Sequence, residues 1–191
     1  DLISVSAHKF GGPKGVGALV VRPGVALAAR QVGGGQERER RSGTQNVAGI
    51  AAMATAARLT AIRRDEDTAR IAALRDRLAD GLLAGVPDTV ATGISDGDRS
   101  GRAAGLCHLC FPGVEAEALL FLLDQAGVAA SAASSCASGA AEPSAVLAAM
   151  GVPREQAAGS LRLSLGWATT DADVDLALRV VPEAVARLRA P

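Results

Sequence analysis

The stretch Ser6-Ala7-His8-Lys9-Phe10-Gly11-Gly12-Pro13-Lys14-Gly15 decides how this chain is read. It lies between two β-rich runs, Leu2–Ser6 and residues 16–21, and its glycines and proline are a strong turn signal, so the runs are read as neighbouring strands. A lysine at a strand end, followed by a glycine turn, can aim its amine into a cleft. Burial there lowers an amine's pKa and makes it a better nucleophile toward an aldehyde. Ser6 and His8 are two residues apart, so in an extended segment they point the same way and could donate hydrogen bonds to a phosphate. The competing reading is a surface hairpin with an ordinary lysine. Of the 20 Lys and Arg residues, only Lys9 and Lys14 are lysines. Arginine replaces lysine as a charge but not in imine chemistry, so a chain this biased toward Arg suggests that one of the two needs its amine. Chance retention in a GC-rich coding sequence accounts for the pair equally well.

Working outward, Gly33-Gly34-Gly35-Gln36-Glu37-Arg38 leads through Arg41-Ser42-Gly43 to Thr44-Gln45-Asn46. Thr44 sits where a helix N-cap would be, a natural anion site. The alternative is a solvated loop with a capping Thr. An Ala-rich helical stretch then runs to about residue 83, with Ile71, Leu74, Leu78 and Leu82 on one apolar face. Residues 106–111 read as a strand, 115–126 as a helix ended by Gly127, 128–130 as a short strand, and 142–150 as a helix stopped by Gly151. Residues 161–165 read as a strand. Thr170 and Asp173 make a capping box opening a last helix, which carries Val174, Leu178, Val181, Val185 and Leu188 on one face and which Pro182 kinks. This order implies that residues 1–60 are the end of an α/β unit and 61–191 a smaller α+β domain with an antiparallel sheet, joined by the long helix.

Two further features carry chemistry. Ser134-Ser135-Cys136-Ala137-Ser138-Gly139 surrounds a cysteine with small residues, so nothing bulky shields it and the segment can move. Cys107 and Cys110 instead sit among large apolar residues, as structural cysteines do. They form C-x-x-C, but without a second pair or clustered His beyond His108 a zinc site is not expected. Arg162 lies inside an alternating strand, where a charge needs a partner. A salt bridge to a neighbouring carboxylate is one reading and a ligand carboxylate the other.

Together these stretches resemble the C-terminal portion of the cysteine desulfurases, class V members of the fold-type I pyridoxal phosphate enzymes. The S-A-H-K-x-x-G-P-K-G run is similar to the family's cofactor lysine motif. The resemblance implies that Lys9 holds pyridoxal 5'-phosphate as a Schiff base and that Ser6 and His8 contact its phosphate. It implies that Thr44 reaches the cofactor phosphate of the partner subunit in a homodimer. It implies that Cys136, on a mobile loop, takes sulfur from L-cysteine as a persulfide, leaving L-alanine, and delivers it to an acceptor such as an iron–sulfur scaffold protein. R-x-S-x-G-x-x-T-T, residues 162–170, resembles the substrate arginine motif, so Arg162 would clamp the amino acid carboxylate. The uninterrupted loop before Glu142-Pro143-Ser144 resembles the group I, iron–sulfur-assembly type. The alternatives are a selenocysteine lyase or another class V enzyme, or a catalytically silent fragment that only docks a sulfur acceptor.

Family members also carry, upstream of the lysine, a His that stacks on the cofactor ring and an Asp that pairs with its pyridine nitrogen; Asp1 is too close to Lys9 to be that Asp. The chain opens without Met on a strand-like run, so a preceding portion is expected, and these 191 residues alone are expected to hold the cofactor weakly. Formal net charge is zero, which gives no support to nucleic acid or an anionic membrane as partner. No segment approaches the roughly 20 apolar residues of a membrane helix. Three cysteines do not suggest a disulfide framework, so a cytoplasmic protein with reduced thiols is expected.

Overall fold

The computed structural model describes residues 1–93, 101–132 and 144–190. The chain divides into two compact units, Asp1–Asp65 and Glu66–Pro191.

In the first unit, β1 (Leu2–Ser6) pairs antiparallel with β2 (Gly17–Val21), Leu2 opposite Val21 and Ser6 opposite Gly17. Gly17 is required by this pairing: a Cβ there would stand 2.6 Å from the Val5 carbonyl oxygen. Both strands keep apolar side chains in the open, Ile3 at 62% and Val20 at 55% exposure. Residues 22–46 then run without strand or α-helix to α1 (Val47–Gly85).

The second unit builds one core. Its sheet has the order β3 (Val90–Ala91), β4 (Leu106–Cys110), β5 (Ser160–Ser164), antiparallel throughout. Side chains alternate across a strand, and Cys107, Leu109, Leu161 and Leu163 all turn to one face. That face meets Leu74, Leu78 and Leu82 of α1, Leu119 and Leu123 of α2 (Ala116–Gln125), and Val174, Val181 and Val185 of α5 (Asp171–Arg189). The 3.6-residue spacing of these positions is why each helix shows one buried stripe. Fully burying each leucine contributes about 2 kcal/mol. Two short helices, α3 (Ala145–Ala149) and α4 (Arg154–Ala158), precede β5.

Several expectations shift. Residues 128–130 are not a strand; Val128 is buried in the core instead, and pairing is reached only at Ser131, which bridges to Arg162. The Val128 N–H is spent instead on the Leu123 carbonyl at 2.9 Å, closing the end of α2 across the left-handed Gly127. The short helix before Gly151 begins at Ala145, while residues 142 and 143 lie outside the described residues. α5 is one helix with Pro182 inside it, opened as expected by the Thr170–Asp173 capping box.

Candidate functional site

Ser6 closes β1, and Ala7–Phe10 turns as a 3-10 helix ended by Gly11 at φ 86. Ala7 is the anchor: it is wholly buried, donates to the Val16 carbonyl at 3.1 Å, and accepts from the Gly12 N–H at 2.9 Å. A Cβ on Gly12 would lie 2.8 Å from the Ala7 Cβ, so the turn closes only over glycine. This corrects the expected geometry of Ser6 and His8. The chain is extended through Ser6 only, and residues two apart in a three-residue turn do not share a direction. Ser6, His8 and Lys9 are all exposed within the first unit, so its residues do not supply the burial expected around the Lys9 amine.

The glycine-rich loop is pinned at its base. Ser42, which is buried, donates its hydroxyl to the Gly34 carbonyl at 2.5 Å; Gln31 Nε2 donates to the Ser42 carbonyl at 2.7 Å, and the Gly43 N–H to Gln36 Oε1 at 3.1 Å. At its tip Glu37, Arg38 and Glu39 are all left-handed, at φ 50, 56 and 62. Each costs on the order of 1 kcal/mol for a residue with a Cβ. Thr44 is not the helix cap. α1 starts at Val47, and Asn46 Oδ1 accepts from the Gly49 N–H at 3.0 Å, which makes Asn46 the N-cap. Thr44 stands exposed two residues earlier. An open cleft of about 950 Å³ in this unit, lined by Leu19, Leu27, Ile50, Met53, Arg38 and Arg41 among others, includes none of Ser6, His8, Lys9 or Thr44.

In the second unit Arg162 sits mid-strand on β5, on the face away from the core and exposed. Its Nη2 donates to the Ser131 hydroxyl at 3.2 Å. Among the described residues it makes no ion pair with a carboxylate, so the salt-bridge reading lacks a partner there. Directly opposite it on β4 is His108, whose Nδ1 is 2.6 Å from Thr92 Oγ1. Burial, then the charges of Arg162 and Arg102, hold the His108 pKa below its ordinary value. Neither His108 nor Thr92 is an obvious candidate from sequence, because a single histidine between two strand cysteines gives no sign of its cross-strand neighbour. Cys107 and Cys110 are buried, and burial pushes the Cys110 thiol up to about 11, which suits an inert structural thiol. Cys136 and its neighbours lie outside the described residues.

Thus the structure carries Ser6, His8 and Lys9, each exposed, along one tight turn, and sets a guanidinium on the polar face of the second unit's sheet.

Comparison with known proteins gives these pieces a context. The family profile described as aminotransferase class-V matches residues 1–177. The IscS-like cysteine desulfurase of Mycobacterium tuberculosis is 51% identical over 98% of this chain, and the cysteine desulfurase of Gluconacetobacter diazotrophicus 47% identical over 99%. This chain spans about half the length of each, 47% and 46%. Among solved structures, a NifS-like protein superposes with a TM-score of 0.83 at 34% identity over 98% of this chain and 46% of its own. The NifS-like protein of Rickettsia africae gives 0.81 at 29% identity over 96% of this chain and 47% of its own. The fold is therefore that of one portion of a NifS-like, fold-type I enzyme, and the relatives' names do not favour the selenocysteine lyase or silent-fragment readings. With its profile match covering most of its length, the chain belongs to the aminotransferase class-V family.

Proposed function

We propose that the protein carrying this chain is a pyridoxal 5'-phosphate-dependent cysteine desulfurase, converting L-cysteine to L-alanine with transfer of the sulfur to Cys136. The observation that carries this is the Ser6–Gly15 turn, in a chain about half identical to named cysteine desulfurases across nearly all its residues. The donor set fits the cofactor: a primary amine for its aldehyde, with a hydroxyl and an imidazole three residues or fewer away for its phosphate. When bound, the cofactor supplies an electron sink that weakens bonds around the substrate's α-carbon.

The chain's own residues then divide the work. Lys9 would hold the cofactor through its amine, and the same amine, when free, would carry a proton. Ser6 and His8 donate hydrogen bonds to the phosphate, and Thr44 serves the phosphate site of a partner subunit in a homodimer. Arg162, with no carboxylate partner among the described residues, offers two parallel donors to the substrate carboxylate. Cys136 attacks as thiolate and forms an S–S bond to the substrate sulfur as the C–S bond breaks; the bonding pair stays on the substrate carbon, where protonation gives L-alanine, and Cys136 is left as a persulfide. That sulfur passes to an acceptor protein, of the kind that scaffolds iron–sulfur clusters. On this reading residues 1–60 end the cofactor-binding domain and residues 61–191 form the small C-terminal domain. The sparse, odd set of cysteines fits a cytoplasmic setting. Among the described residues no helix is long and apolar enough to cross a membrane.

Borohydride reduction of the holoenzyme followed by peptide mapping tests the reading. The label is expected on Lys9. A label on Lys14, or on neither, overturns it.

A further inference from the structure

Register sets four polar side chains in one row across the second unit's sheet. His108 is the cross-strand partner of Arg162. Thr92 follows β3 and donates its N–H to the His108 carbonyl at 3.3 Å, and Ser131 bridges to Arg162 on the far side. Because Cys107, Leu109, Leu161 and Leu163 take the core face, His108 and Arg162 share the opposite one. Directly opposed side chains on one face have Cβ atoms roughly 5 Å apart. The row reads Thr92, His108, Arg162, Ser131.

Chemistry then fixes what His108 can be. A charged imidazole directly opposite a guanidinium would be repelled, and the ring is also half-buried and near Arg102. It is therefore neutral, with one N–H and one lone pair. Nδ1 is engaged with the Thr92 hydroxyl at 2.6 Å, while Nε2 is buried with no hydrogen-bond partner. A guanidinium can only donate. The favourable tautomer beside two guanidinium groups gives the Nδ1 proton to Thr92 and leaves the lone pair on Nε2. The reverse tautomer would turn an N–H toward positive charge. Arg162 spends one donor on Ser131 and has four N–H groups left.

We propose that His108 is a positioning residue for Arg162: a neutral acceptor, fixed by Thr92, whose Nε2, without a partner in this structure, takes an inner N–H of the guanidinium when the guanidinium's outer edge engages a carboxylate. This presupposes Arg162 as the carboxylate clamp proposed above. His108 touches neither substrate nor cofactor and acts through Arg162 alone.

The test compares binding of L-alanine with that of ethylamine, the same molecule without its carboxylate, to the holoenzyme, read from the cofactor's absorbance. Loss of one hydrogen bond to a charged group implies that His108→Leu weakens L-alanine and raises KM for L-cysteine about tenfold, with kcat within about threefold and ethylamine unchanged. His108→Gln, whose amide oxygen reaches about as far as Nε2, restores alanine binding to within about threefold, whereas His108→Asn, which reaches only to the Nδ1 position, does not. Unchanged alanine binding in His108→Leu, equal weakening of alanine and ethylamine, or failure of the Gln rescue overturns the positioning role. Arg162→Gln separates the two claims. If it abolishes the preference for alanine over ethylamine while His108→Leu keeps it, only the role of His108 falls. If Arg162→Gln keeps the preference, the clamp itself falls.

Discussion

Ser131 and Arg162 are joined three times: each backbone N–H donates to the other's carbonyl, at 3.1 and 2.7 Å, and Arg162 Nη2 donates to the Ser131 hydroxyl at 3.2 Å. The backbone pair decides where the arginine leaves the sheet. The hydroxyl, itself donating to the Ala132 carbonyl at 3.1 Å, selects among the rotamers that follow. Ser131→Ala keeps the backbone bridge and removes the hydroxyl's hydrogen bonds, that from Arg162 among them.

A hydrogen bond from a guanidinium as exposed as that of Arg162 is worth about 1 kcal/mol net, so Ser131→Ala is expected to raise KM for L-cysteine roughly threefold to tenfold with little change in the urea midpoint. Steady-state kinetics beside an unfolding curve checks this. A large fall in the midpoint with KM unchanged would make the hydroxyl a structural bond.

The three cysteines should react very differently. With its thiol held near 11 by burial, Cys110 is thiolate in only about one molecule in a thousand at pH 8, and the thiolate is the form that alkylates. Cys107 is equally buried. Iodoacetamide at pH 8 is expected to modify Cys136, the proposed nucleophile, well before either, and all three at similar rates in urea. Peptide mapping against time reads this out. Native modification of Cys110 as fast as Cys136 would contradict it.

What could be read from the sequence was what is local. The strand–turn–strand around Lys9, the α1 face of Leu74, Leu78 and Leu82, and the Thr170–Asp173 box each rest on neighbours within a few residues, and each is in the structure. Thr44 was legible as a residue before a helix but not as an exposed one. Thr and Asn are both good caps, and only the start of α1 at Val47 decides for Asn46. The left-handed run Glu37–Arg38–Glu39 has no sequence signal, since the φ > 0 region is usually signalled by Gly or Asn. The row from Thr92 to Ser131 was invisible because register between distant segments is set by pairing, and a slip of one residue would send His108 and Arg162 to the core.

The capping box gives α5 a pH-dependent start. Hydrogen bonds from the Thr170 backbone N–H and hydroxyl, both 2.8 Å, hold the Asp173 carboxyl below the usual carboxylate range. A depressed folded-state pKa means that the stabilisation is present above the unfolded aspartate's pKa and is lost as pH falls through the folded one. The stability gap between the parent and Asp173→Asn is expected to be constant at neutral pH and to close in acid. Thr170→Ala, which removes the cap itself, is expected to cost about 1 kcal/mol at neutral pH. Urea midpoints measured from pH 7 down to the carboxylate range check both. A gap that stays constant into acid would show that Asp173 acts there without its charge.

The turn that presents Lys9 should be far more sensitive at Gly12 than at Gly15, although Gly15 has the more unusual backbone. Gly15 is left-handed at φ 77, yet a Cβ there meets nothing within 4 Å. Gly15→Ala therefore costs only conformational strain, on the order of 1 kcal/mol, with no displacement of its surroundings. At Gly12 the constraint is contact. The added Cβ would stand 2.8 Å from the Ala7 Cβ and 3.0 Å from the Ala7 carbonyl oxygen that receives the Gly12 N–H. Ala7 cannot retreat, because it is wholly buried and tied to Val16. The strain of Gly12→Ala must then appear as opening of the turn, which shifts Lys9 two residues after the anchor. Overpacking of this sort costs about 1–3 kcal/mol. On the proposed function, Gly12→Ala in the holoenzyme lowers cofactor affinity at least about tenfold, and Gly15→Ala by less than about fivefold. Titration of the two apo variants with pyridoxal phosphate, beside their melting temperatures, measures it. Equal losses would mean that backbone strain, and not the packing of Ala7 under Gly12, holds Lys9 in place.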